Sequence, residues 1–204
     1  MEKHNYIGKS FEEAKQNAIT DLQQLEADLI IKETKTTKSG LFKSSKVEIE
    51  VIEKNEVIKY IKDYLIQLLK DLGFNAQVEL KNKSEVPTYL IFSDNDALLI
   101  GKNGKNLKAL SYYVSLHINK EIGSNIKFII DVNDYKKKRE KSLESLAKRI
   151  AKEVSETKIE AKLDSMNSYE RRIIHNTLTN NKKVYTESEG TEPNRYVVIK
   201  PKED

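Results

Sequence analysis

The chain has 204 residues, 38% apolar and 33% charged, with 36 basic against 32 acidic side chains and no cysteine. This composition supports one large core or several small ones, and it excludes disulfide scaffolds, thiolate zinc sites and cysteine nucleophiles; three scattered histidines (His4, His117, His175) make a poor metal set. No apolar run approaches the ~20 residues of a membrane span and the start lacks a signal-peptide pattern, so a cytoplasmic location is expected.

The first segment, residues 1–54, carries 9 basic and 10 acidic side chains. A short strand is predicted around Asn5 to Ile7, then a helix capped by Ser10 with Glu13 at the capping-box position and Phe11, Ala14, Ala18, Leu22 and Leu25 near one face. Leu29 to Glu33 follow, then a polar turn through Thr34 to Gly40. In "KVEIEVIE", Val47, Ile49 and Val51 alternate with charged residues, a strand with one wet face. The order is β-α-β-β.

The second segment, residues 55–133, carries 10 basic and 9 acidic side chains. Val57, Ile58, Ile61, Leu65, Leu68, Leu69 and Leu72 recur at three- and four-residue spacing up to Gly73, which ends the helix. Ala76, Val78 and Leu80 alternate with polar residues, and after a turn at Glu85 to Pro87 "TYLIF" makes the second arm of a hairpin. Asp94 is expected to cap a single helical turn, Ala97 to Ile100. Leu107, Leu110, Val114 and Ile118 mark a longer helix, and Ile126, Phe128, Ile130 and Val132 a closing strand. The order is α-β-β-α-α-β.

The third segment, residues 134–204, holds the basic excess, 17 basic against 13 acidic. Such an excess suits a polyanionic partner, because basic side chains neutralise phosphates with release of counterions. It opens on "YKKKREK", continues with an apolar stripe at Leu143, Leu146, Ala147, Ile150 and Val154, and has a second helix from Asn167 with Glu170 at the capping-box position. Two short strands are predicted, Val184 to Thr186 and Tyr196 to Ile199. The whole reads as α+β, three small α/β modules in tandem.

Between the two helices of the middle segment lies Gly101-Lys102-Asn103-Gly104, followed by Lys105. It is not a Walker A loop, since Leu99 occupies the required first glycine and Asn106 the final Ser/Thr, and it lacks the third glycine and preceding strand of a dinucleotide fingerprint. Two readings remain. Either the glycines only end one helix and start the next, or they let a sugar-phosphate backbone approach a positive helix end reinforced by Lys102 and Lys105. With "LLIG" before it and the α-β-β-α-α-β order around it, residues 55–133 resemble a type II KH domain. That resemblance implies a clamp for about four single-stranded nucleotides at this loop.

Arg171 and His175 stand one helical turn apart in "SMNSYERRIIHNTL", a spacing that by itself also describes a solvated face or a core-edge histidine. As ligand contacts, the arginine would fork to a phosphate and the histidine donate to one or stack on a base. With "VYTESEGTEPNRYVVIKPK" after it, the stretch resembles the R-x-x-x-H (R-3-H) domain, a single-stranded nucleic-acid-binding module. Arg172 in "ERRIIH", and Ser188 and Arg195 in the S-x-G-x-x-P-x-R turn, join the candidates through that resemblance.

A KH domain followed by an R-x-x-x-H domain behind a β-α-β-β module resembles the bacterial Jag (KhpB/EloR) family over essentially the whole chain. "FEEAKQNAITDLQ" and "KSGLFKSSKVEIEV" resemble its N-terminal module, with Leu41-Phe42-Lys43-Ser44 where a second glycine is usual; Ser165 and Ser168 replace prolines at the entry to the Arg/His helix. The resemblance implies a non-catalytic RNA-binding regulator tied to cell elongation and division. The implied partners are single-stranded RNA or DNA, a small single-KH protein, and a membrane protein insertase reached through the N-terminal module, which would place the protein at the membrane periphery; a homodimer is a further option for so small a first module. The alternative is a protein-interaction adaptor with secondary nucleic-acid binding. No cofactor or metal is implied. Asp94 with Asp96 and Glu187 with Glu189 read as cap and turn residues, not as acid/base pairs. Tyr89, Phe92 and Phe128 read as core, Tyr112 and Tyr113 as open, and His117 as a surface or packing residue.

Overall fold

The computed structural model describes residues 1–37, 45–81 and 86–202. Gly40, the Leu41-Phe42-Lys43-Ser44 stretch and Glu85 lie outside them. Two compact units are formed, Met1–Asn133 and Asp134–Asp204. Each is α+β.

The first unit begins with β1 (His4–Gly8), α1 (Phe11–Leu22), β2 (Leu29–Thr37) and β3 (Lys46–Glu53), in a sheet of order β1-β3-β2 with both pairings antiparallel. Val47, Ile49 and Val51 bury one face of β3 against Ala14 and Ala18 of α1, which removes that apolar surface from water. The Ser10 hydroxyl accepts from Glu13 N at 3.2 Å, and the Glu13 carboxylate reaches back to Lys9 N at 2.7 Å, one residue before the expected partner. The turn predicted from Thr34 is corrected: Thr34 to Thr37 continue β2. Ladder bonds to β3, with a bulge between Glu33 and Lys35, hold these polar residues in a strand.

The same unit continues with α2 (Lys54–Asp71), β4 (Ala76–Lys81), β5 (Thr88–Ser93), α3 (Asp96–Ile100), α4 (Lys105–Ile122) and β6 (Ile129–Val132). This is the α-β-β-α-α-β order read from the sequence. The sheet order is β4-β5-β6, antiparallel then parallel. Val57, Ile61, Leu65 and Leu69 of α2 and Leu107, Val114, Ile118 and Ile122 of α4 are buried. The two helices meet at a ring stack: His117 lies on Tyr64 with centroids 4.1 Å apart, and the Tyr60 hydroxyl is 3.2 Å from His117 Nε2. His117 is thus a packing residue. At the far end of α4, Lys3 Nζ donates to the Glu121 carbonyl at 3.0 Å, a cation on the negative end of the helix.

The second unit comprises α5 (Tyr135–Thr157), β7 (Ala161–Lys162), α6 (Ser168–Leu178), β8 (Val184–Glu189) and β9 (Tyr196–Pro201), with sheet order β7-β9-β8. Leu143, Ala147, Ala151 and Val154 of α5 share a core with Ile173, Ile174 and Leu178 of α6 and with Val184, Val197 and Ile199. Asn167 Oδ1 accepts from Glu170 N at 3.0 Å and Glu170 Oε2 accepts from Asn167 N at 3.2 Å, the full capping box. The other Glu170 oxygen takes Arg139 Nε at 2.8 Å, so a buried carboxylate ties α6 to α5. The strand β7 has no counterpart among the elements predicted from the sequence, and both later strands are longer than expected.

Candidate nucleic-acid interface

The glycine turn is built by its neighbours before its own residues are considered. Asn95, not Asp94 as expected, caps α3: its Oδ1 accepts from Leu98 N at 3.1 Å, while the Asp96 carboxylate takes Ser93 N at 2.9 Å and Asn133 Nδ2 at 2.8 Å. The Gly101 amide closes α3 on the Ala97 carbonyl, and Gly104 N bonds back to Gly101 O at 3.2 Å. Gly101 has φ 69° and ψ 177°, a conformation essentially reserved for glycine, and a Cβ there would lie 2.6 Å from Asn106 Cγ. Asn106 is held in place by its own bond to the Leu98 carbonyl at 2.8 Å.

Asn103 (φ 54°) and Gly104 (φ 74°) complete a left-handed turn that delivers the chain to α4. Gly104 makes no side-chain cap, and the first turn of α4 has no acidic residue to offset its positive end. Lys102 and Lys105 are exposed beside it. Apolar surface adjoins: Leu98 is 55% exposed and Tyr112 66%.

The Arg/His helix is α6. Its two signature side chains are both engaged by the protein. Arg171 is buried, and its Nη1 donates to the Met166 carbonyl and to Glu192 Oε1, each at 2.9 Å. His175 lies half-buried against β8, where Thr186 and Ser188, two residues apart and so on one face, hold its ring: Nδ1 is 2.6 Å from Thr186 Oγ1 and Nε2 2.8 Å from Ser188 Oγ. Burial, and then the neighbouring Arg171 charge, hold the imidazole below its ordinary pKa. Arg195 Nη2 reaches the Ser188 carbonyl at 3.4 Å, and its buried Nε has no acceptor among the described residues. Arg172 faces outward, exposed.

Residues 141–201 match the family model of the R-3-H domain. The chain is 33% identical over 211 residues to the RNA-binding protein KhpB of Clostridium symbiosum, covering 100% of this chain and 94% of that protein. It is 30% identical over 200 residues to the RNA-binding protein KhpB of Bacillus subtilis, covering 96% of each. The chain belongs to the KhpB (Jag) family. A KhpB from Lactiplantibacillus plantarum is 35% identical over 142 residues, covering 70% of this chain and 44% of that protein.

In this KhpB-family chain, the R-3-H match spans Arg171, Arg172, His175, Ser188 and Arg195. The fold brings His175, Ser188 and Arg195 together through Ser188, and links Arg171 to the turn between β8 and β9 through Glu192. Gly101 to Lys105 form a separate constellation in the other unit. The sequence reading missed Thr186 and Glu192. The period of two between Thr186 and Ser188 signals the first, whereas only the fold reveals a carboxylate placed on a guanidinium.

Proposed function

We propose that this protein is a non-catalytic, single-stranded RNA-binding regulator acting in the cytoplasm. It is organised as an N-terminal module (1–54), a KH domain (55–133) and an R-x-x-x-H domain (134–204). Gly101, Lys102, Asn103, Gly104 and Lys105 hold the strand's backbone, and base edges are read beside them; the α6 face, with Arg171, His175, Ser188 and Arg195 and with Arg172 outward, holds further backbone. Single-stranded DNA would meet the same groups.

The observation that carries this reading is the turn itself. Three elements of strain-tolerant backbone, at Gly101, Asn103 and Gly104, present an uncapped helix end between two exposed lysines. The names of the KhpB relatives, given as RNA-binding proteins, support it. Control of cell elongation and division is the setting that the family resemblance implies, with a small single-KH protein and a membrane insertase as protein partners.

A second reading, a protein-interaction adaptor, draws on the exposed Tyr112 and Leu116, one turn apart on α4. Changing Lys102 and Asn103 to Asp separates the two. RNA recovered by ultraviolet crosslinking should fall severalfold while partner pull-down persists. Unchanged RNA recovery would remove the turn from the RNA contacts and favour the adaptor.

A further inference from the structure

We infer that Glu192 is a resident counter-ion on the phosphate subsite of Arg171, and that its carboxylate tunes RNA affinity by competing with the strand's backbone phosphate. The inference rests on the α6 face being a nucleic-acid site.

The pair is asymmetric. The Arg171 side chain is 9% exposed and that of Glu192 60%. A buried guanidinium needs a counter-charge, because an isolated buried cation is expensive. The capping acid on its own helix is directed elsewhere: Glu170 accepts from Arg139 Nε with one oxygen and from Asn167 N with the other. Glu192, on the turn between β8 and β9, supplies the anion from the solvent side at 2.9 Å. A guanidinium donates to carboxylate and phosphate oxygens through the same N–H groups, so a strand phosphate can take the position that this exposed carboxylate leaves. Only the Glu192 end of the pair is exposed: releasing that carboxylate to water costs little, and the buried Arg171 keeps a counter-charge throughout if a phosphate replaces it.

A backbone phosphodiester presents two charged oxygens, as a carboxylate does, so it can take the place of Glu192 on Arg171. Arg171 anchored on the Met166 carbonyl, and His175 clasped between Thr186 and Ser188, keep the surroundings fixed while the anion changes.

The test uses the full chain and a fluorescein-labelled oligouridine of about twenty nucleotides, read by anisotropy at low salt. Glu192→Gln, which keeps the shape and an acceptor oxygen but removes the charge, should tighten binding roughly three- to tenfold. Glu187→Gln, neutralising a carboxylate on β8 that pairs with Lys200, controls for general charge and should change affinity less than about twofold. In an Arg171→Ala background, Glu192→Gln should give no gain. Unchanged or weaker binding by Glu192→Gln, or an equal gain from Glu187→Gln, overturns the counter-ion role while leaving the α6 face intact as a site if Arg171→Ala still weakens binding. An oligouridine affinity indifferent to Arg171→Ala overturns the site itself. Thermal melts identify any variant that fails to fold; if Arg171→Ala does, the comparison of Glu192→Gln with Glu187→Gln decides alone.

Discussion

Gly101 and His175 show how single side chains constrain the two candidate sites. At Gly101, alanine meets both a glycine-only backbone and the Asn106 amide 2.6 Å away. Gly101→Ala should therefore cost about 1–3 kcal/mol in chemical denaturation and reduce RNA crosslinking by distorting the turn; a stable variant with full crosslinking would show that the turn tolerates another shape. For His175 the folded pKa lies below the unfolded value, so the neutral ring is the favoured native form. The corresponding stability is complete above the ordinary value near ~6.5 and is lost as pH falls from there through the folded pKa. Between pH 7.5 and 5 the urea midpoint should fall less for His175→Gln than for the parent chain, and equal falls would contradict the assignment. Glycine at position 101 was legible because turn chemistry is local. The burial of Arg171 and its pairing with Glu192 were not, since the spacing of Arg171 and His175 fixes a shared helix face but not what packs over it.

Helices were read more surely than strands, and the reason is physical. The stripe of Val57, Ile61, Leu65 and Leu69 declares α2 from within one segment, so Leu65→Ala, at a fully buried site, should destabilise the first unit by about 2–5 kcal/mol in denaturant melts. The Asn167 and Glu170 box is equally local; Asn167→Ala should cost about 1 kcal/mol, measurable as a lowered urea midpoint, and no loss would mean the α6 entry is held by Glu170 and Arg139 alone. Strands depend on partners far along the chain. Thr34 to Thr37 are polar enough for a turn, yet β3 completes their ladder, and the two-residue β7 exists only because Ala161 and Lys162 pair with Ile199 and Val198 of β9. The cap of α3 is Asn95, one residue after the expected Asp94, and the helix starts at Asp96, one residue before the expected Ala97; the Asp96 carboxylate turns back to Ser93 N and Asn133, contacts that the local sequence does not reveal.

Across the whole molecule, charge is divided unevenly: the middle segment is nearly neutral and the last third carries 17 basic against 13 acidic side chains. Neutralising Lys102 and Lys105 as glutamines should lower the salt slope of RNA binding by about 0.7 for each lost contact, measured over roughly 50 to 200 mM salt, yet leave a clear slope from the last third. A slope that vanishes would place the entire electrostatic grip in the glycine turn. The bond from Lys3 to the Glu121 carbonyl bears on how the protein can be taken apart. The 18 residues of α4 span roughly 27 Å, from the glycine turn to a carbonyl end stoppered by a side chain at the very start of the chain. Excising residues 55–133 as a minimal fragment would uncork that end. An affinity measured on such a fragment would describe an α4 that keeps its Gly123 cap but lacks the Lys3 contact, so a reagent for studying the glycine turn should retain Lys3.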